Sequence, residues 1–218
     1  MNTQKNAELL LKYINNLSDF KIIQPEIVMP YNHMGATITD TILQAGTKWE
    51  TVVKPRILKL LKHTEAKTTK GFFNFFLDIN GLKKILCWQD QEKPERILGL
   101  TNFFIKEKIN NETNLKKWLK KDENITEIKK LRGIGNKTAD YLKILSGIST
   151  SAIDRHLIKF LQNAGININI NQYLLAQEII NKTAKLKKVK KSLLDHSIWK
   201  YMSNKKDTTS LNSRGHCI

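Results

Sequence analysis

The chain has 218 residues, enough for one large domain or two smaller units with a true hydrophobic core. Lysine and arginine number 37 against 20 acidic residues, a formal charge of +17 that points to a polyanionic partner, nucleic acid before an anionic membrane surface. Two cysteines, Cys87 and Cys217, cannot hold a four-cysteine iron–sulfur cluster or a cysteine-rich zinc site; with no bilayer-spanning apolar run and no opening signal pattern, an intracellular, reducing setting is expected.

The periodicity is helical almost throughout. In "NAELLLKYINNL" the residues Leu10, Tyr13, Ile14 and Leu17 share one face. "KIIQPEIVMP", with Pro25 and Pro30, predicts an extended linker. "GATITDTILQAG" predicts a short amphipathic helix stopped by Gly46, and "ETVVKPRILKLLKHT" another with Pro55 in its first turns. "KGFFNFFLDI" reads as a buried helix, with a strand as the alternative for its phenylalanines. "GLKKILCW" and "PERILGLTNFFIKEKI" continue the series, with Pro94 in a first turn. "NLKKWLKK" sets Leu115, Trp118 and Leu119 opposite its lysines, and "ITEIKKL" follows. Beyond residue 145 come the loop "SGISTSAI" and the helices "DRHLIKFLQNAG", "NQYLLAQEIINKTAKL" and "SLLDHSIWKYM". Residues 204–218 form a polar tail, expected to be disordered. There is no solenoid repeat and no alternating strand pattern. The expected class is all-α, with about ten helices.

"LRGIGNKTADYLKIL", residues 131–145, is the stretch with the clearest chemistry. A helix must end at Leu131 or Arg132. Gly133 and Gly135 permit positive φ and let a phosphate approach the backbone. A second helix starts near Lys137, so its free N–H groups face the loop and form an anion site. This is a helix–hairpin–helix pattern, and with the basic charge it predicts DNA binding through Arg132, Gly133, Gly135 and Asn136. A Gly-x-Gly turn also occurs for packing alone, and nucleotide base bias is another source of the lysines. Lys137 is a phosphate contact if the hairpin belongs to a binding module, or a nucleophile if it belongs to an enzyme.

Asp154 lies seventeen residues after Lys137, at the head of "RHLIKFLQNAG". A helix N-cap accounts for an aspartate there without any catalytic role. The apolar pair Ala152–Ile153 before it suggests a loop pinned to the core, which would fix the carboxylate in space.

The stretch 131–161 resembles the helix–hairpin–helix (HhH-GPD) DNA glycosylase superfamily, whose members carry this hairpin, a Gly/Pro-rich loop and an aspartate. Lysine at position 137 is similar to the bifunctional members, such as endonuclease III and the 8-oxoguanine glycosylases. "AIDRHL" is most similar to compact archaeal-type 8-oxoguanine glycosylases. "TITDTILQAGTKWETVVKPRI" resembles the DNA-penetrating segment of endonuclease III, so the likeness covers residues 35–161, with weaker support from "LLDHSIWKYM". The loop 146–151 has a glycine but no proline, and the four-cysteine cluster is missing, which leaves the iron–sulfur-free members closer.

The resemblance implies a two-lobed helical fold with the active-site cleft between the lobes. Residues 33–150 would form a helical barrel lobe ending in the hairpin, and residues 1–32 with 151–203 the second lobe. It implies a base-excision-repair DNA glycosylase/AP lyase acting as a monomer, with no cofactor and no metal, on double-stranded DNA bearing a damaged or modified base such as 8-oxoguanine. Lys137 would attack the sugar C1′ after burial and neighbouring cations, Lys143 or Arg155, lower its pKa, and Asp154 would stabilise the developing positive charge and help shuttle protons. Gln44, near Thr47, would fill the vacated stack. His156, His196 and Trp199 would line the base pocket, with Phe103 and Tyr201 as further candidates. Core packing is the competing role for each aromatic. "KLKKVKK", 185–191, reads as a solvated face or a phosphate contact. The alternatives are a non-enzymatic helix–hairpin–helix DNA-binding protein and a helical interaction protein without salt-sensitive DNA binding.

Overall fold

The apolar spacing of the sequence is carried out in helices. The computed structural model describes residues 2–211, and the fold is all-α, with no strand among the described residues. The chain divides into two units, residues 27–148 and residues 1–26 with 149–218.

The first unit is built around α2, Met34–Leu43, every residue of which is buried. His33 caps it, its Nδ1 accepting from the Ala36 N–H at 3.1 Å. A helix buried on all sides can find partners for its polar side chains only within the protein. The Thr41 hydroxyl donates to the Thr37 carbonyl at 2.7 Å, and the Thr37 hydroxyl donates to the buried Glu112 carboxylate, which also accepts from the backbone N–H groups of Asn32 and His33. Tyr31 and Asn32 therefore belong with α2, and the linker residues 27–32 go with this unit, not with the terminal segments.

The stretch expected as one helix from Glu50 is two pieces. A single wide turn, Trp49–Val53, runs into α3, Lys54–Leu60. Pro55 has no N–H, which suits the first turn of α3 and disfavours an unbroken helix through it. "KGFFNFF" is helical: α4, Thr69–Phe76, is capped by Thr68 and buries Phe72 against Phe76 one turn on, ring centres 5.0 Å apart. α5, Ile79–Leu86, ends in left-handed Cys87, whose carbonyl accepts from Arg56 at 2.9 Å. α6, Glu92–Lys106, packs on α2, and the short α7, Glu112–Trp118, and α8, Asp122–Ile128, lead to the hairpin. α9, Asn136–Leu145, returns along α2.

The second unit joins the first helix of the chain to the last three. α1, Thr3–Asn16, packs on α11, Tyr173–Leu186, and α10, Arg155–Asn163, packs on α12, Lys191–Leu211. Leu10, Ile14, Phe160, Ile179, Leu194 and Ile198 form its core. The expected disorder from Asn204 does not hold over 204–211, where α12 continues. The Lys205 ammonium lies 4.4 Å from the Tyr201 ring centre and 3.8 Å from an Asp19 oxygen, which ties the extension to the unit. The rest of that tail lies outside the described residues.

Candidate functional site

The hairpin departs from its expected form in two details. α8 stops at Ile128, and a chain of tight turns carries residues 129–134, the Ile134 N–H donating to the Leu131 carbonyl at 3.1 Å. Gly133 is left-handed, φ 79°, and a Cβ there would meet the Arg96 guanidinium at 2.0 Å; that guanidinium donates to the Gly133 carbonyl at 2.8 Å. Gly135 is not left-handed. Its φ of −93° and ψ of −171° are extended, because it is the residue before α9 and must leave the turn. With no side chain it offers no cap, so the leading N–H groups of α9 meet no side-chain acceptor from it. Arg132 and Asn136 are exposed; the Arg132 guanidinium reaches Glu92 at 3.6 Å and Glu95 at 3.8 Å, surface pairs that a phosphate can displace.

Lys137 is half-buried and turned inward. Its ammonium donates to the Gln44 side-chain oxygen and lies 5.2 Å from the Tyr141 ring centre. Lys137 and Tyr141 are one turn apart on α9; Asp40 and Gln44 are one turn apart on α2. Packing α9 on α2 brings the four together. The Asp40 carboxylate is fully buried and accepts at Oδ2 from the Tyr31 hydroxyl at 2.8 Å and the Tyr141 hydroxyl at 3.1 Å. Burial pushes its carboxyl up to about 7, against the two tyrosine hydrogen bonds and the Lys137 ammonium, which favour the charged form. The Tyr31 phenol is driven above its usual range, by burial first and then by Asp40.

Lys93 completes the charge distribution here. Its ammonium donates to the carbonyls of Ile42 at 2.9 Å and Ala45 at 2.6 Å, and burial, then Arg96, bring it down to about 8, with Lys137 acting in the same direction. Lys137 is thus within electrostatic range of Lys93. Lys143 pairs with Asp140 at 3.3 Å, and Arg155 lies on α10. Gln44 caps the end of α2, and the Thr47 hydroxyl donates back to the Leu43 carbonyl. Asp40 and Lys93 escaped the sequence reasoning. The signal for Asp40 is an acid inside the apolar run "ITDTIL".

Asp154 is the N-cap of α10. Its Oδ1 accepts from the His156 N–H at 2.8 Å and the Leu157 N–H at 3.1 Å. The loop before it is pinned: Ser151, Ala152 and Ile153 are buried, the Asp195 carboxylate accepts from the Ala152 N–H at 2.6 Å, and the Gln177 amide donates to the Ser151 carbonyl at 2.7 Å. Asp195 is thus a clamp on the loop that carries Asp154, another residue the sequence reasoning passed over.

The expected base-pocket residues are not gathered into one cavity. His156 lines a 460 Å³ cavity with Arg155, Lys159, Gln162 and Asn169, and neither His196 nor Trp199 reaches it. His196 and Trp199 stack on each other along α12, ring centres 6.1 Å apart, and Trp199 packs on the core of its unit. Phe103 meets Trp118 edge-on, and Tyr201 joins Phe20 and Phe160 while donating to Asp19 at 3.0 Å. Both serve packing.

The profile of a family described as a domain of unknown function, DUF8548, matches residues 19–203. The chain belongs to this family. No curated protein and no solved structure matches it. The DUF8548 match covers Asp40, Gln44, the hairpin, Lys137 and Asp154, and takes in parts of both units.

Within the DUF8548 match, α11 and the turn after it form a 630 Å³ groove lined by Lys182, Lys185, Lys190 and Lys191 with Ser149 and Asn181. Lys182 pairs with Glu178 at 2.8 Å. The lysine run 185–191 thus fronts a basic concavity on the second unit. No helix among the described residues is long and apolar enough to cross a membrane.

Proposed function

We propose that the protein is a bifunctional DNA glycosylase/AP lyase of base excision repair. The observation that carries this reading is the inward Lys137. Here the amine is half-buried between Gln44 and Tyr141, beside a second cation and an aspartate whose carboxyl titrates near neutrality. Such surroundings are those that turn a lysine into a nucleophile.

On this reading the two units are the two lobes of the glycosylase fold. The hairpin N–H groups, Arg132 and Asn136 hold the phosphates of double-stranded DNA, and the damaged nucleotide leaves the stack. Neutral Lys137 attacks C1′ and the base departs with the electrons of the glycosidic bond, while the Asp154 carboxylate offsets the charge developing on the sugar. The C1′–O4′ bond then breaks, O4′ taking up a proton from Nζ, to give a protonated Schiff base on Lys137; loss of a C2′ proton to water breaks the C3′–O bond, expels the 3′-phosphate and nicks the strand. The resemblance to 8-oxoguanine glycosylases makes an oxidised purine the first substrate to try.

Borohydride trapping tests the reading. The protein incubated with a duplex containing a damaged base or an abasic site should form a covalent adduct. Lys137→Gln should lose the adduct completely while still shifting the duplex in a binding assay. The Asp154 cap gives weight to a second reading, a non-enzymatic helix–hairpin–helix DNA-binding protein, since its bonds account for the residue without chemistry. Binding without any adduct would decide for that second reading.

A further inference from the structure

A glycosylase lysine has to lose a proton before it can attack, and the same unit holds a place for that proton. α2 is buried on every side, and the chain still sets an acid in its middle. Burying a carboxylate is costly, and nothing in the packing requires one. Both tyrosine hydroxyls bond to Oδ2, and the carbonyl oxygen of an asparagine could accept the same two bonds. The second oxygen, Oδ1, is buried and accepts no hydrogen bond. A charge-bearing group with one oxygen anchored and the other unoccupied, in the electrostatic reach of Lys137, calls for a function beyond packing.

The groups facing Asp40 are few. Tyr31 comes from the segment before α2, and Tyr141 and Lys137 come from α9; Lys93 of α6 acts at one remove, through Lys137. Glu112 of α7 acts at one remove, through Tyr31.

We propose that Asp40 accepts the proton that Lys137 sheds when it becomes a nucleophile. This rests on Lys137 being the Schiff-base lysine. One N–H bond of the ammonium breaks, and its electron pair stays on Nζ as the lone pair that attacks C1′. An O–H bond forms on Asp40 at Oδ1. The pair carries no net charge before the transfer, as ammonium and carboxylate, and none after it, as amine and carboxylic acid. A buried setting favours the neutral partners. The two tyrosines hold Oδ2 and leave Oδ1 as the oxygen without a hydrogen-bond partner. Asp40 never meets the DNA in this scheme; it acts through Lys137. Asp154 is left with the sugar cation alone.

The test is single-turnover borohydride trapping of the full chain on a duplex with one abasic site, from about pH 5 to about pH 9. The wild-type rate should rise as Asp40 ionises and level off above an inflection near neutrality. Asp40→Asn, which keeps the tyrosine partners, should bind the duplex normally, trap at least ~100-fold more slowly at neutral pH, and lose the inflection. Tyr141→Phe removes one donor from the carboxylate and should move the inflection to higher pH. A mere counter-ion predicts the reverse for Asp40→Asn: an ammonium stripped of its partner deprotonates more easily and traps as fast or faster. That result, or an inflection unmoved in Tyr141→Phe, overturns the proposal. If Asp40→Asn does not fold, the Tyr141→Phe profile decides alone. No trapping by the wild type, or trapping that survives Lys137→Gln, is a different failure: it removes the enzyme reading itself, and this proposal with it.

Discussion

Asp40 ties the stability of the hairpin-bearing unit to pH. Burial pushes its carboxyl up to about 7 in the folded chain, from the ordinary 3.8. A raised carboxyl contributes its full share of stability in acid, below the unfolded value, and loses it as pH climbs through the folded one. The window therefore runs from about pH 4 to about pH 7, and the difference is on the order of 4 kcal/mol. Asp40→Asn should flatten this dependence, and denaturant melts of both proteins across that window would measure it. An equal slope in the variant would mean that the carboxyl titrates normally. The position was hard to read in sequence. In "GATITDTILQAG" a single aspartate looks like the polar side of an amphipathic helix, and only packing of α2 on all faces reverses that. Lys137 was legible as a residue but its direction was not. Gln44, which holds it, lies 93 positions away, and no local pattern specifies that meeting.

At the scale of elements, α10 allows its capping and its proposed chemistry to be separated. Asparagine caps a helix about as well as aspartate, whereas alanine loses roughly 1 kcal/mol. Asp154→Asn should melt with the wild type yet trap abasic DNA at least ~100-fold more slowly. Asp154→Ala should lower the melting temperature as well. If Asp154→Asn traps normally, the residue is a cap and nothing more. The helices themselves were largely legible, because apolar residues at i, i+3 and i+4 recur in nearly every segment. Pattern misled where one residue changed the local geometry. Pro55 divides the stretch from Trp49 into a wide turn and α3, and the need to leave the hairpin gives Gly135 an extended conformation instead of a left-handed one. The polar run after Asn204 has no apolar period at all, and its continuation of α12 rests in part on Lys205 and Tyr201.

For the whole molecule the charge of +17 remains the broadest observation, and most of it sits on lysines with no assigned role. The groove on α11 offers a place to test it. Replacing Lys185, Lys190 and Lys191 together with glutamine should weaken duplex binding at low salt and make the slope of log affinity against log salt shallower, by roughly one for each DNA phosphate that these lysines neutralise. An unchanged slope would return the run to a solvated face. No residue of α1 predicts that its partner is α11, far along the sequence. The pairing shows only in the fold, where the Thr183 hydroxyl donates to the Ala7 carbonyl at 3.2 Å.

That pairing sets an order of events at the ribosome. α1 emerges long before α11 and must wait, its apolar face uncovered, until α11 has been synthesised. Residues 27–148 can meanwhile collapse as a unit of their own. The nascent polypeptide thus holds the whole hairpin unit in hand while the helix ahead of it still lacks its partner.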